Sequence, residues 1–258
     1  MPLPDFDLSL AILLGTVLVG GIARGMSGFG TGMIVVPVAA ALYGPKAALV
    51  IVVLIDTLPI IPVTIPALKV ARWREVLPVL AGLGLLLPVG IQILKWGDPT
   101  VLRWLICVAI LLCATALVKG WRYAGPRTAG TSLLVGAVAG LLSGIASIPG
   151  PPVIIYWLAS QLPRLIVRAN LMTLFFLTEA LSIGNIWLAG LFERQAVLLS
   201  IAAAGPYFVG LMIGSRLFGL ASDKTYRRVT FVLIAAAALL ALPAADPLFA
   251  ALGRPVAD

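Results

Sequence analysis

The stretch 23–37, ARGMSGFGTGMIVVP, decides the architecture. It sets Arg24, Ser27, Thr31 and the glycines Gly25, Gly28, Gly30 and Gly32 inside an otherwise apolar segment. The run before it, 8–24, is about 25 Å long as a helix, and the run after it, 33–43, is about 16 Å. The second is too short for a hydrocarbon layer of about 30 Å. Residues 25–32 are therefore expected to turn within the membrane, where the glycines permit the backbone angles of such a turn. Unwound backbone is tolerated at that depth only where it is buried in protein or lines a polar cavity. A helix restarting near Gly32 aims unpaired amides and a partial positive charge into that cavity, an arrangement that binds anions.

The surrounding chain supports this setting. Of 258 residues, 61% are hydrophobic and 11% charged, against about 25% charged in soluble domains. Apolar runs recur at 8–24, 33–43, 46–65, 75–95, 101–119, 131–147, 150–162, 168–189, 196–218 and 229–242. The expectation is one all-α, multi-pass membrane domain over 1–258. The start, MPLPDFDLSL, has no basic region before its apolar run, so no cleavable signal peptide is expected. The net charge of +8 is read as loop Lys and Arg facing the cytoplasm, not as a nucleic-acid surface. Two cysteines and no histidine argue against zinc or haem, and Cys107 and Cys113 are not spaced to face each other on a helix. No cofactor or metal is expected, and no GxxxxGK[ST] motif for nucleotide drive occurs.

The two halves resemble each other. Repeat 1 spans about 8–119 and repeat 2 about 131–242, joined by a linker at about 120–130 that contains GPRTAGTS (125–132). Ser27-Gly28 is matched with Ser143-Gly144, Lys46 and Asp56 with Arg168 and Glu179, and Gly90, Asp98 and Arg103 with Gly214, Asp223 and Arg228. The loop after the third segment is basic in the first half (Lys69, Arg72, Arg74). In the second half the equivalent loop is near neutral (Glu193, Arg194), and the next one is basic (Lys224, Arg227, Arg228). With basic loops inside, equivalent loops lie on opposite faces. This predicts two inverted repeats, each with a broken or re-entrant helix pair and about three spanning helices. The opposing reading is eight plain spans in two parallel repeats.

The mirror of the first break is SGIASIPGPP (143–152). Pro151 and Pro152 suit a helix start, and Ser143 and Ser147 add hydroxyls. Paired breaks aimed at one place form the expected substrate site of a secondary transporter. Its candidate substrate-binding residues are Arg24, Ser27, Gly28, Gly30, Thr31, Gly32, Ser143, Gly144, Ser147, Gly150, Pro151 and Tyr156. Gly21 with Gly25, and Gly136 with Gly140, are read instead as helix-packing surfaces.

Three charges lie within apolar spans: Arg24, Asp56 and Glu179. Each costs at least about 2.5–3.5 kcal/mol to insert at mid-bilayer, which makes it a functional candidate. Arg24 is either a fixed charge for an oxyanion, which guanidinium fits, or the structural partner of Asp56 or Glu179. The two acids either brace unwound backbone or, with one of them protonated, act in coupling or gating. Arg168 and Asn170 join them as coupling or gating candidates.

The Ser-Gly-x-Gly-x-Gly break ending in VVP, the later Gly-Pro-Pro followed by Tyr156, and the RAN at 168–170 together resemble the TauE/SafE sulfite exporter family. The likeness covers nearly the whole chain. It implies a duplicated, multi-pass protein of the bacterial inner membrane that handles small sulfur-containing anions such as sulfite, sulfoacetate or isethionate. The implied partners are that anion and the lipid bilayer, with no nucleic acid, and a homo-oligomer is compatible. A secondary exporter working by alternating access is the leading expectation. A proton-coupled uptake carrier is one rival, and an intramembrane enzyme acting on lipid phosphates is another.

Overall fold

A computed structural model describes residues 7–57, 60–119, 123, 125–158 and 162–217. The segment expected at 229–242 lies outside them, as do Arg122, Asp223, Lys224, Arg227, Arg228 and the side chains of Ser27, Cys113 and Arg164. The described residues form ten α-helices and no strands: α1 (Leu8–Ser27), α2 (Thr31–Tyr43), α3 (Pro45–Thr57), α4 (Ile61–Val70), α5 (Trp73–Trp96), α6 (Pro99–Val118), α7 (Ala129–Ala146), α8 (Gly150–Leu158), α9 (Arg164–Ala189) and α10 (Arg194–Leu217). Five of these, α1, α5, α7, α9 and α10, are long and apolar enough to cross a membrane. The chain is a multi-pass membrane protein.

Both expected interruptions are present, and both are hairpins. Asp7 caps the start of α1 by accepting the Leu10 N–H at 2.7 Å. The helix ends at Gly28, in left-handed geometry with φ +82°. Gly30, at φ +110°, starts α2 with no capping side chain. α2 then returns along α1, so that a methyl at Gly20 would lie against Val35 and Thr31. A Thr128/Thr131 capping box opens α7. It ends at Ser147, whose φ of +51° is the only positive value at a non-glycine among the described residues. α8 folds back beside it: Tyr123 N–H donates to Ile155 O at 3.3 Å, and Arg127 Nη2 donates to Tyr156 O at 3.0 Å.

A third interruption departs from expectation. The run 46–65 reads as one span, yet α3 stops at Thr57 and α4 starts at Ile61. The prolines explain it. Pro62 sits in the first turn of α4, where a missing N–H is harmless, but neither it nor Pro59 can continue a helix arriving from α3. α3 itself is central, buried on every side from Ala48 to Val53, as a helix apolar all round must be.

Two interfaces dominate, α5 with α7 and α1 with α10. Both are glycine seams with backbone against backbone. A methyl at Gly21 or Gly25 would collide with the carbonyls of Tyr207 or Leu211, and one at Gly210 or Gly214 with those of Leu18 or Ile22. In the other seam, Gly140 and Gly144 face the carbonyls of Leu83 and Leu87, and Gly90 faces that of Leu141. Residue numbers rise together across each seam, so the paired helices run parallel. The contacts are reciprocal: Gly21 and Gly25 stand to Tyr207 and Leu211 as Gly140 and Gly144 stand to Leu83 and Leu87. This register sets Arg24 against Ser143 and Gly28 against Ser147, a displacement from the Ser-Gly match that the sequence suggests. The packing role expected for Gly21, Gly25, Gly136 and Gly140 agrees with these contacts.

Candidate functional site

Arg24 lies one turn before the first break, its carbonyl accepting the Gly28 N–H at 2.7 Å. Its side chain is 4% exposed. The guanidinium carbon sits 5.2 Å from the centroid of the Phe175 ring, and Nη2 is 3.7 Å from Asp56 Oδ2. That is an ion pair beyond hydrogen-bond reach. Among the described residues, neither Nε nor Nη2 finds a hydrogen-bond acceptor. Together they form one edge of the guanidinium fork, two parallel donors spaced for two oxygens of an oxyanion.

Asp56, next to the end of α3, is held from its other side. Thr31 Oγ1 donates to Asp56 Oδ1 at 3.2 Å, and the Tyr207 hydroxyl donates to the same oxygen. Thr31 and Tyr207 are themselves 3.0 Å apart. Glu179, buried on α9, is in electrostatic range of both Asp56 and Arg24. Five helices thus converge: α1 with Arg24, α2 with Thr31, α3 with Asp56, α9 with Phe175 and Glu179, and α10 with Tyr207. On α9 the residues Arg168, Met172, Phe175 and Glu179 fall on one face by helical spacing. Arg168 Nη2 donates to Gly25 O at 3.0 Å, closing the carbonyl end of α1 with a cation. Met172 and Arg168 lie against Gly28.

The second break touches the first. A methyl at Gly32 would collide with Ser147 O, and one at Gly150 would lie 3.8 Å from Phe175 Cζ and 4.0 Å from Phe29 Cβ. Phe175 therefore adjoins both breaks. Ser143 and Ser147 are buried, and their hydroxyls have no hydrogen-bond partner among the described residues. Pro151 lies in the first turn of α8.

Other expected residues lie elsewhere. Gly144 belongs to the α5–α7 seam. Tyr156 is at the far end of the second hairpin: its hydroxyl meets Ser132 Oγ at 2.7 Å, and Arg127 covers its ring at 4.5 Å. Arg127 also pairs with Glu75 at 3.7 Å, so this group fastens the base of the hairpin to α5. Asn170 Oδ1 accepts the Arg72 N–H at 2.7 Å and so caps the start of α5. Tyr207 and Phe175 were not among the expected site residues. A signal for Tyr207 existed: it shares the small-residue face of α10 with Gly210 and Gly214.

The turn geometry gives a first expected result. Gly28→Ala places a side chain at positive φ with Met172 Cγ 3.1 Å away, costing about 1–2 kcal/mol. Ser147→Gly removes a strain of about the same kind, offset by the entropy glycine brings to the unfolded chain. Melting of the purified protein in detergent should show a lower midpoint for Gly28→Ala and none of that loss for Ser147→Gly.

Comparison with known proteins agrees with this architecture. The family model described as "Sulfite exporter TauE/SafE" matches residues 12–241. A Cupriavidus necator protein, described as "Probable sulfite/organosulfonate exporter TauE", is 32% identical over 246 residues, covering 92% of this chain and 94% of that protein. No solved structure matches the chain. The chain belongs to the TauE/SafE sulfite exporter family, whose members are membrane transporters.

Proposed function

We propose that this protein is a secondary transporter that exports small sulfur-containing anions, sulfite and organosulfonates among them, across the bacterial inner membrane by alternating access. One observation carries the reading: a buried guanidinium at the junction of two helix breaks, with its Nε–Nη2 edge making no hydrogen bond to any described residue. Burying a cation is costly, and leaving its donors unmade is costlier. An oxyanion bound there relieves both. The orphan hydroxyls of Ser143 and Ser147 supply further donors from the second break, which fits a site shared by two repeats.

The repeats are inverted in this proposal. Lys69, Arg72, Arg74 and Arg127 gather where α5 and α7 begin, and that end faces the cytoplasm. The parallel seams then send α1 and α10 inward and α5 and α7 outward, so each hairpin opens to a different side. Direction follows from charge. With the cell interior negative, moving one anionic charge outward releases about 2.3 kcal/mol per 100 mV, so export needs no coupling ion. Uptake needs one, and the Asp56–Glu179 pair beside Arg24 is where a coupled proton would sit.

A thermal-shift panel of sulfite, sulfate, thiosulfate, taurine, isethionate and sulfoacetate tests the substrate class. A ligand bound only by the folded state raises its stability. Sulfite and at least one sulfonate should raise the melting midpoint, and a flat panel would contradict the proposal. Exchange of labelled sulfite driven by an imposed voltage, unaffected by a pH gradient, separates uncoupled export from proton-coupled uptake.

A further inference from the structure

We infer that Tyr207 is the positioning residue of this site: it holds the Asp56 carboxylate away from Arg24, so that the guanidinium edge stays open for the anion. The inference rests on the transport reading above and goes beyond it, since Tyr207 is not itself an expected ligand position, although its hydroxyl lies 3.0 Å from one of them, Thr31.

A carboxylate and a guanidinium sealed together in a membrane protein should close to a two-point hydrogen-bonded pair. Here they stop at 3.7 Å. The reason lies on the opposite side of the carboxylate, where two hydroxyls converge on Oδ1. One comes from Thr31 on α2 and the other from Tyr207 on α10. With Oδ1 doubly occupied, only Oδ2 faces Arg24, and Arg24 keeps two donors unspent. Tyr207 can exert this hold because its backbone is fixed. Its carbonyl lies where a methyl on Gly21 would be, so α10 approaches α1 at a distance only glycine allows. The side chain is fully buried; its hydroxyl donates to Asp56 and lies 3.0 Å from Thr31 Oγ1, so its place is set from three helices. Arg24 and Tyr207 therefore ride on the same seam.

The test is a double-mutant cycle read as sulfite affinity by calorimetry, on wild type, Tyr207→Phe, Asp56→Asn and the double variant. Tyr207→Phe keeps the ring and loses the hydroxyl, so Asp56 is released to engage Arg24. Affinity should fall about tenfold or more, the worth of a hydrogen bond to a charged group. In the Asp56→Asn background the same change should have little effect, because no carboxylate remains to compete for Arg24. An equal loss in both backgrounds, no loss in either, or absence of binding in Asp56→Asn alone would overturn the inference. Thr31→Val provides the second reading should Tyr207→Phe not fold, since it removes the other donor to Oδ1; its effect too should vanish when Asp56 is Asn, and an effect that persists overturns the inference. Failure of the parent reading is distinct: wild type would then bind no sulfite, or Arg24→Lys would bind it as well as wild type.

Discussion

Arg24→Gln is expected to abolish measurable sulfite exchange in proteoliposomes, and Arg24→Lys to retain only a small fraction of it. Truncating a buried, charged donor pair costs about 2–5 kcal/mol of binding, which is roughly one and a half to three and a half orders of magnitude in affinity. Lysine preserves the charge but presents a point donor in place of a planar fork, so it cannot address two oxygens at once. The alternative is that Arg24 only neutralises Asp56. The geometry speaks against that, because the pair stands too far apart for a hydrogen bond while two guanidinium donors stay unused. A folding defect must be separated from a functional one: removing the cation leaves Asp56 buried without a partner, at a cost of about 3–5 kcal/mol. Arg24→Gln/Asp56→Asn deletes both charges and should melt close to wild type. It should still fail to exchange sulfite. Exchange at the wild-type rate by that double variant would reduce Arg24 to a structural counter-ion.

The second large effect is expected in the seams. Gly21→Leu or Gly140→Leu should prevent accumulation of folded protein, seen as loss of a monodisperse peak in detergent chromatography. At each position the first carbon of a side chain already collides with a facing carbonyl. Relief requires a whole helix to move, since the obstacle is backbone and not a flexible side chain. Overpacking in a core that can adapt costs about 1–3 kcal/mol, and a rigid seam should exceed that. The control lies on the same helices. Nothing stands within 4 Å of a methyl at Gly15 of α1 or Gly205 of α10. Alanine at either should be neutral or stabilising by up to about 1 kcal/mol, from its helix propensity. The contrast also bears on mechanism. Each seam joins a first-half helix to a second-half helix, α1 to α10 and α7 to α5. Alternating access that moved one half of the sequence rigidly against the other would have to part both seams at once. A motion that carries each seam intact does not.

Several of these features were legible in the residues themselves. Glycine with serine at 25–32, and serine, glycine and proline at 143–152, clustered inside apolar runs and announced the two hairpins, because these residues permit the backbone angles of a turn or a helix start. The cost of burying charge singled out Arg24, Asp56 and Glu179, and the structure brings these three together. What the sequence hid was spatial. Pro59 and Pro62 marked the break between α3 and α4, yet an unbroken hydrophobic tally across 46–65 masked it. Tyr207 had only one local cue, its place on the small-residue face of α10 with Gly210 and Gly214, which marks a packing face and not a site. Its role exists only because Gly21 lets α10 close on α1, a contact between residues far apart in the chain. Tyr156, close behind the Gly-Pro-Pro, invited a place in the site, but α8 carries it about 1.7 turns from Gly150 to the base of the hairpin, where Arg127 and Ser132 hold it. The register of the halves followed the same pattern. A short Ser-Gly match was the visible cue, and the reciprocal glycine contacts give a different alignment, with Ser143 standing where the first half has Arg24.

The central claim is that one anion is shared by both breaks, anchored by Arg24 on the first and adjoined by the second. Ser147→Cys, in a background with Cys107 and Cys113 replaced, puts a thiol on the second break. The measurement is its rate of modification by a small charged thiol reagent, with and without isethionate, a sulfonate that does not react with thiols. The account expects isethionate to slow modification of Cys at that position, and expects Arg24→Gln/Asp56→Asn to erase the protection. Modification at one rate whether or not the sulfonate is present, or protection that survives the loss of Arg24, would contradict it.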